Sequence, residues 1–324
     1  MKRKRPLWAD YAVYLAVRGL VSTLQALPIR LTYAIADQLA KLLYTVDNRH
    51  RAVAMENLRL AFGDFYDDAG RDRLVRGVYR HFCRMLVEML HSPRLMKLTT
   101  WRQRVTLSNH APSIEILLDG RPAILLTGHF GNWEMAGYLF GVYGFKTHAI
   151  ARKLDNPYLD RYLRTFREGT GQTLIDKNTG YDQMLEVMKS GGVLSFIGDQ
   201  DAGPRGLFVD FFGRPASTHK SIALLAIEYD APILVGGAYR VGDDFQYVVR
   251  TEAVIQPSDY ADYPDAVKRI TQEFTAALER LIRQAPEQYL WLHRRWKHQP
   301  KPKGAARGPH RVSATQDASG AVRP

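Results

Sequence analysis

The sequence predicts an α/β fold: a mixed, largely parallel sheet flanked by helices, entered through an N-terminal helical segment that associates with a membrane. Three observations predict it. Of 324 residues 46% are hydrophobic, which supplies a sizeable core. From residue 122 onward short β-rich runs alternate with longer helical ones. Ahead of them, residues 7–44 are rich in Leu, Ala, Val, Ile and Tyr and read as a helical pair broken at Pro28.

The N-terminal pair is interrupted by Asp10, Arg18, Arg30, Asp37 and Lys41 before about 18 apolar residues accumulate, so a spanning helix is not expected. A shallow interfacial anchor is, with Trp8, Tyr11 and Tyr14 at headgroup depth and Lys2 to Arg5 on anionic lipid. A buried hairpin is the plain alternative. The stretch lacks a small-residue cleavage site, so its removal is not expected. Residues 50–98 read as helical, with Val75, Val78, Tyr79, Phe82, Met85, Leu86 and Met89 at spacings of three and four. Strands are expected at 123–127, 147–151, 173–175, 193–197, 233–238 and 245–250. Helices are expected at 132–142, 156–168, 181–189, 217–229 and 264–284. The chain thus divides into membrane-associating helices at 1–48, a catalytic domain at 49–298 and a disordered basic tail at 299–324.

Net charge is +12, and about two thirds of it lies in residues 2–5 and 301–324, so the ends look like arms for an anionic surface. One cysteine, Cys83, excludes an internal disulfide and a multi-thiolate zinc site and points to a reducing compartment. There is no G-x-S-x-G, no pair of histidines four apart after H-E, and no G-x-G-x-x-G or P-loop.

Chemistry gathers instead in "TGHFGNWE", residues 127–134. His129 falls just past an expected strand, where open α/β sheets place their sites. Five residues apart on one helix, His129 and Glu134 would sit on different faces. A turn over 128–131 with Asn132 as N-cap lets Glu134, in the first helical turn, accept a hydrogen bond from the His129 ring and free the other nitrogen as a base. Glycines on both sides allow backbone N–H groups to approach an oxyanion. A base without a protein nucleophile implies that the substrate brings its own, most simply a hydroxyl attacking an activated acyl group.

"GHFGNWE" resembles the H-x4-D/E motif of the glycerolipid and lysophospholipid acyltransferase superfamily, and in its glutamate form that of the bacterial lipid A late acyltransferases. "ARKLDNPYLDRYLRTFR" (151–167), "GDQDAGPRGLFVDFFGRPAST" (198–218) and "PEQYLWLHRRWK" (286–297) are similar to successive blocks of the same family. The resemblance implies an O-acyltransferase on the cytoplasmic face of a bacterial inner membrane. It would transfer a fatty acyl chain from an acyl carrier protein or coenzyme A thioester to a lipid A precursor or related glycolipid, with no cofactor, metal or acyl-enzyme. It implies His129 as general base and Glu134 as its orienting partner. Arg152, Asn156 and Arg167 would hold phosphate groups, Asp199 and Gln200 would stand at the site mouth, and Gly131 and Asn132 would also meet substrate.

Two other classes compete. Asp199, Gln200 and Asp201 form a D-x-D after a strand, which suits a metal-dependent, membrane-associated glycosyltransferase but leaves His129 and Glu134 without a task. "LWLHRRWK" interleaves Trp291 and Trp296 with basic residues, as a single-stranded nucleic-acid binder does, yet no nucleic-acid motif accompanies it and no such partner is expected. Phe208, Phe211 and Phe212 suit either an apolar lip of the acyl site or a core strand.

Overall fold

The computed structural model describes residues 6–169 and 171–300; the basic start and the tail from residue 301 lie outside the described residues. Helices α1 (Leu7–Ala26) and α2 (Ile29–Val46) are separated at Leu27 and Pro28. Leu27 is extended, as the residue before a proline must nearly be. α2 buries Tyr33, Ala36, Ala40 and Tyr44, a three-and-four spacing, while Leu31, Ile35, Leu39 and Leu42 of the same helix stay exposed. Among the described residues no helix is long and apolar enough to cross a membrane. The three aromatic anchors expected on α1 do not share one environment. Trp8 is 74% exposed, whereas Tyr14 stands within 6.4 Å of Tyr158 and Tyr162, and Arg18 lies 4.6 Å over the Tyr162 ring.

The helical stretch expected over 50–98 is two helices, α3 (Asn48–Phe62) and α4 (Asp68–Leu95). Gly63, at φ 53°, ends the first in the left-handed region, and Asp47 and Asp67 cap the two N-termini.

The sheet contains β1 (Val105–Ser108), β2 (Ala123–Thr127), β3 (Thr147–Ala151), β4 (Gln172–Asp176), β5 (Val193–Ile197), β8 (Ile233–Arg240) and β9 (Tyr247–Ile255), in the order β1-β9-β8-β2-β5-β3-β4. Every neighbouring pair is parallel except β8 with β9. The connecting helices are α5 (Ala111–Leu118), α6 (Trp133–Val142), α7 (Pro157–Glu168), α8 (Tyr181–Lys189), α9 (Ser221–Glu228) and α10 (Ala266–Gln284). This mixed, largely parallel sheet between helices is the architecture the alternating pattern predicts. The core beneath it joins Ile124, Leu126, Leu194, Ile233 and Val235 of the strands to Phe274, Leu278 and Leu281 of α10.

The departures have local causes. β1 and α5 were not expected; at four and eight residues each is too short to show a period. The helix expected from residue 217 begins at Ser221, because residues up to Thr218 form a hairpin of β6 (Leu207–Phe211) and β7 (Arg214–Thr218). Phe211 and Phe212 are buried against Tyr289, Trp291 and Trp296, which corrects the reading of those two as an apolar lip of the acyl site. The strand expected at 245–250 runs two residues later and much longer, paired along its length with β8.

Residues 286–298 form a strap that crosses the carboxyl edge of the sheet. Trp291, Arg295 and Trp296 are buried, which removes the stacking surface that a nucleic-acid reading of this segment needs. The Arg295 guanidinium donates to Ser217 O at 2.6 Å and Thr218 Oγ1 at 2.7 Å. Asn57 of α3 donates to the carbonyls of Trp291 and His293, both at 2.7 Å. Removing the buried amide leaves the Trp291 carbonyl without a donor, while the His293 carbonyl keeps the Arg295 N–H at 2.9 Å. Asn57→Ala is therefore expected to lose on the order of 2 kcal/mol, read as a lower midpoint in urea unfolding with an unchanged slope.

Candidate active site

β2 and β5 are parallel neighbours in register, Thr127 opposite Ile197. Two residues past each strand end stand His129 and Asp199, so the pairing that builds the sheet also sets these side chains face to face. Asp199 accepts twice from the same residue: Oδ2 from the His129 backbone N–H at 2.9 Å, and Oδ1 from the ring Nδ1 at 2.8 Å. The His129 side chain is 20% exposed and that of Asp199 3%. A bare carboxylate beside Nδ1 selects the tautomer with its hydrogen there and leaves Nε2 as a free base. The Trp133 ring stands edge-on to the imidazole at 5.1 Å.

Burial opposes charge on the His129 ring, but the charge of Asp199 and its hydrogen bond outweigh burial and raise the ring above its usual pKa of 6.5. Burial likewise opposes ionisation of Asp199, and the His129 ring and the hydrogen bonds from it overcome that, holding the carboxyl below the usual range.

The expected partnership of His129 with Glu134 is corrected by this geometry. Helix α6 begins with Asn132 as N-cap, as the sequence predicts. Its first turn, however, aims Glu134 at α7, where Arg167 Nε donates to Oε2 at 2.9 Å and a second guanidinium nitrogen bonds Oε1. Glu134 and His129 still line one cavity, together with Arg152 and Arg167.

Gly131 and Asn132 act within the chain rather than toward substrate. Gly131 is at φ 59°, and a Cβ there would sit 2.1 Å from Ala238 O. Its N–H donates to Gln288 O, and its carbonyl accepts from His81 Nε2 at 3.0 Å. Burial, and then the nearby Arg240 charge, push His81 down to about 4, so the ring stays neutral. The Asn132 side chain is fully buried and caps Met135 N at 2.9 Å, which rules out contact with a substrate. Asn156 is also a cap, accepting from Tyr158 and Leu159 N–H and donating to Asp10 O at 2.8 Å. It ties α7 to α1. Arg152 is 70% exposed at the cavity edge, with a 3.5 Å contact to Asp155. Gln200 is partly buried beside Asp199 and lies outside the cavity lining.

The two carboxylates of D-x-D face different histidines: Asp199 binds His129, and Asp201 accepts from His298 Nδ1 at 2.6 Å. Among the described residues no cluster of three metal-ligating side chains occurs. Sequence reasoning placed Asp199 near the mouth but missed it as the partner of His129. The signal was present, since each residue follows its predicted strand by two positions.

The cavity encloses about 480 Å³ between the sheet and α6, a volume typical of small-molecule sites. Its α6 wall is Trp133, Ala136, Gly137 and Phe140, one helical face, and Leu125, Ala149, Leu234 and Val249 line the sheet side. The lining is mostly apolar, with charge concentrated at Glu134, Arg152, Arg167 and Arg250.

A family model described as bacterial lipid A biosynthesis acyltransferase matches residues 2–298. The lipid A biosynthesis lauroyltransferase of Escherichia coli is 26% identical over 289 residues, 87% of this chain and 90% of that one. The palmitoleoyltransferase of lipid A biosynthesis from the same organism is 25% identical, over 78% of this chain and 80% of its own. A phosphatidylinositol mannoside acyltransferase of Mycolicibacterium smegmatis is 28% identical over 55% of this chain and 57% of its own.

Asp199→Asn removes the charge that raises His129 and leaves burial, which lowers it. Since the base acts when neutral, the acidic limb of kcat/KM is expected above pH 6.5 in the wild type and below it in the variant, with kcat reduced roughly 10²- to 10⁴-fold. A pH–rate profile of both proteins measures this.

Proposed function

The chain belongs to the bacterial lipid A biosynthesis acyltransferase family and is an acyltransferase acting with a lipid acceptor and an acyl donor; from that premise we propose that His129 and Asp199 catalyse direct transfer of a fatty acyl chain from a thioester to a hydroxyl of a lipid A precursor or related glycolipid. The observation that carries the mechanism is the Asp199–His129 hydrogen bond at the head of an apolar cavity. His129 Nε2 takes the acceptor hydroxyl proton as the oxygen attacks the thioester carbonyl. Asp199 stabilises the imidazolium that forms. The tetrahedral oxyanion then collapses, the C–S bond breaks, and His129 returns its proton to the leaving thiolate, so an ester and a free thiol result. No serine, cysteine or metal takes part in these steps.

The first-turn amides of α6, at Trp133 and Glu134, sit at the positive end of the helix dipole beside His129 and suit the oxyanion. Arg152 is the side chain most available to a phosphate, on the acceptor or on the donor's carrier. Arg167 is already balanced by Glu134, so the pair shapes the cavity wall more than it supplies charge. The donor's hydrocarbon occupies the apolar cavity. The donor is an acyl carrier protein or a coenzyme A thioester, either of which fits this chemistry, and no cofactor is needed.

The exposed leucines of α2 and Trp8 of α1 support an interfacial placement on the cytoplasmic face of the inner membrane, with the helices lying in the headgroup region. A glycosyltransferase loses its support once Asp199 is committed to His129.

Mass spectrometry of a tetraacylated lipid A precursor incubated with an acyl thioester tests the reaction. Wild type is expected to add one acyl chain and His129→Ala to lose at least about 10²-fold in rate while keeping its unfolding midpoint. More than about a tenth of wild-type activity in that variant would sink the assigned base. Ala149→Leu fills part of the sheet-side wall, so competition between donors of different length is expected to shift toward shorter chains.

A further inference from the structure

A carboxylate that the mechanism does not use lies beneath the catalytic loop. Glu88 of α4 is 0% exposed and is met by side chains from α2, β8 and the cap of α6. Tyr33 of α2 donates to Oε1 at 2.9 Å, and the Arg240 guanidinium of β8, itself buried, bonds the same oxygen. Asn132 Nδ2 donates to Oε2 at 3.0 Å and lies 3.3 Å from the Tyr247 hydroxyl of β9. Burying such a pair carries a desolvation penalty, and apolar replacements are often as stable, so stability alone is a poor reason for its presence.

The orientation of the Asn132 amide supplies a better one. Its Oδ1 caps Met135 N at 2.9 Å, so its Nδ2 must point the other way, and Glu88 is the acceptor waiting there. Its backbone N–H is held separately by Ala238 O at 2.7 Å. We infer that Glu88 is a positioning residue for acyl transfer: through Asn132 it fixes where α6 starts, and so where Trp133 stands against His129 and where the first-turn amides point. The chain of contacts is short, from Glu88 to Asn132, then to the next residue Trp133, then 5.1 Å to the His129 ring. Ala238 and Gln288 hold the loop backbone; Glu88 holds the turn of the cap.

The inference rests on His129 as the base, and His129→Ala in the same assay tests that reading independently. Asn132→Ser is the decisive variant, because serine keeps a good N-cap acceptor while deleting the donor to Glu88. Glu88→Gln approaches the same bond from the other side, since one of its amide donors must face either Asn132 Nδ2 or Arg240. Tyr33→Phe removes a different donor to Glu88 and leaves Asn132 untouched. The expected result is a kcat loss on the order of 10- to 100-fold in Asn132→Ser and Glu88→Gln, with donor KM within about threefold, and a non-additive loss when the two are combined. Tyr33→Phe is expected to lower the unfolding midpoint and keep kcat. Asn132→Ser within twofold of wild-type kcat would overturn the inference. So would a Tyr33→Phe kcat loss equal to that of Asn132→Ser, because the network would then serve stability alone. If Glu88→Gln fails to fold, Asn132→Ser and Tyr33→Phe decide between them.

Discussion

The register between β2 and β5 is the constraint on which the rest depends. With Thr127 opposite Ile197, the chain leaves both strands at the same level, and the second residue beyond each end is a histidine on one side and an aspartate on the other. A slip of one residue would carry each strand's side chains to the opposite face and separate the pair. The apolar runs "AILLT" and "VLSFI" therefore do more than fill a core. Burial of Ile124, Leu126 and Leu194 beneath the sheet locks the register that the chemistry above it requires.

Around that register the loop over 128–132 is over-determined. Gly131 is pressed against the backbone of β8 so closely that no side chain fits, His81 and Gln288 bond its two polar groups, and the strap returns through Leu290 N–H to the His129 carbonyl. The loop is buried at its base and open at one ring nitrogen. A general base gains from this arrangement, since orientation fixed before substrate arrives is not paid for during the reaction. The electrostatics follow the same division: burial works against both charges of the His129–Asp199 pair, and the partner 2.8 Å away favours each charge, which raises the ring's pKa and lowers the carboxyl's.

Much of this was legible. The H-x4-E spacing, the N-cap at Asn132 and the strand before it were visible as residue types in order, and the alternation of strand and helix gave the sheet its parallel character. The identity of the histidine's partner was not. Glu134 is five residues away in sequence and Asp199 is seventy, and local spacing favours the near one. The near one is turned aside because a helix starting at Trp133 carries Glu134 toward Arg167. Arg152, expected to hold phosphate, stands exposed at the cavity edge, but Asn156, of the same block, is a helix cap, because an Asn before Pro157 meets two free amides before it meets any ligand.

The sequence by itself determined the class of reaction and the architecture and singled out the histidine, because periodicity, caps and motif order are local properties that survive without the fold. Tertiary structure alone decided which carboxylate serves the base, which aromatic residues are core and what holds the catalytic loop. Glu88 sits 44 residues before Asn132 and Arg240 lies 152 after Glu88. Contacts over such separations arise only when strands and helices from distant parts of the chain are stacked, and no pattern within a helical turn or a strand records them.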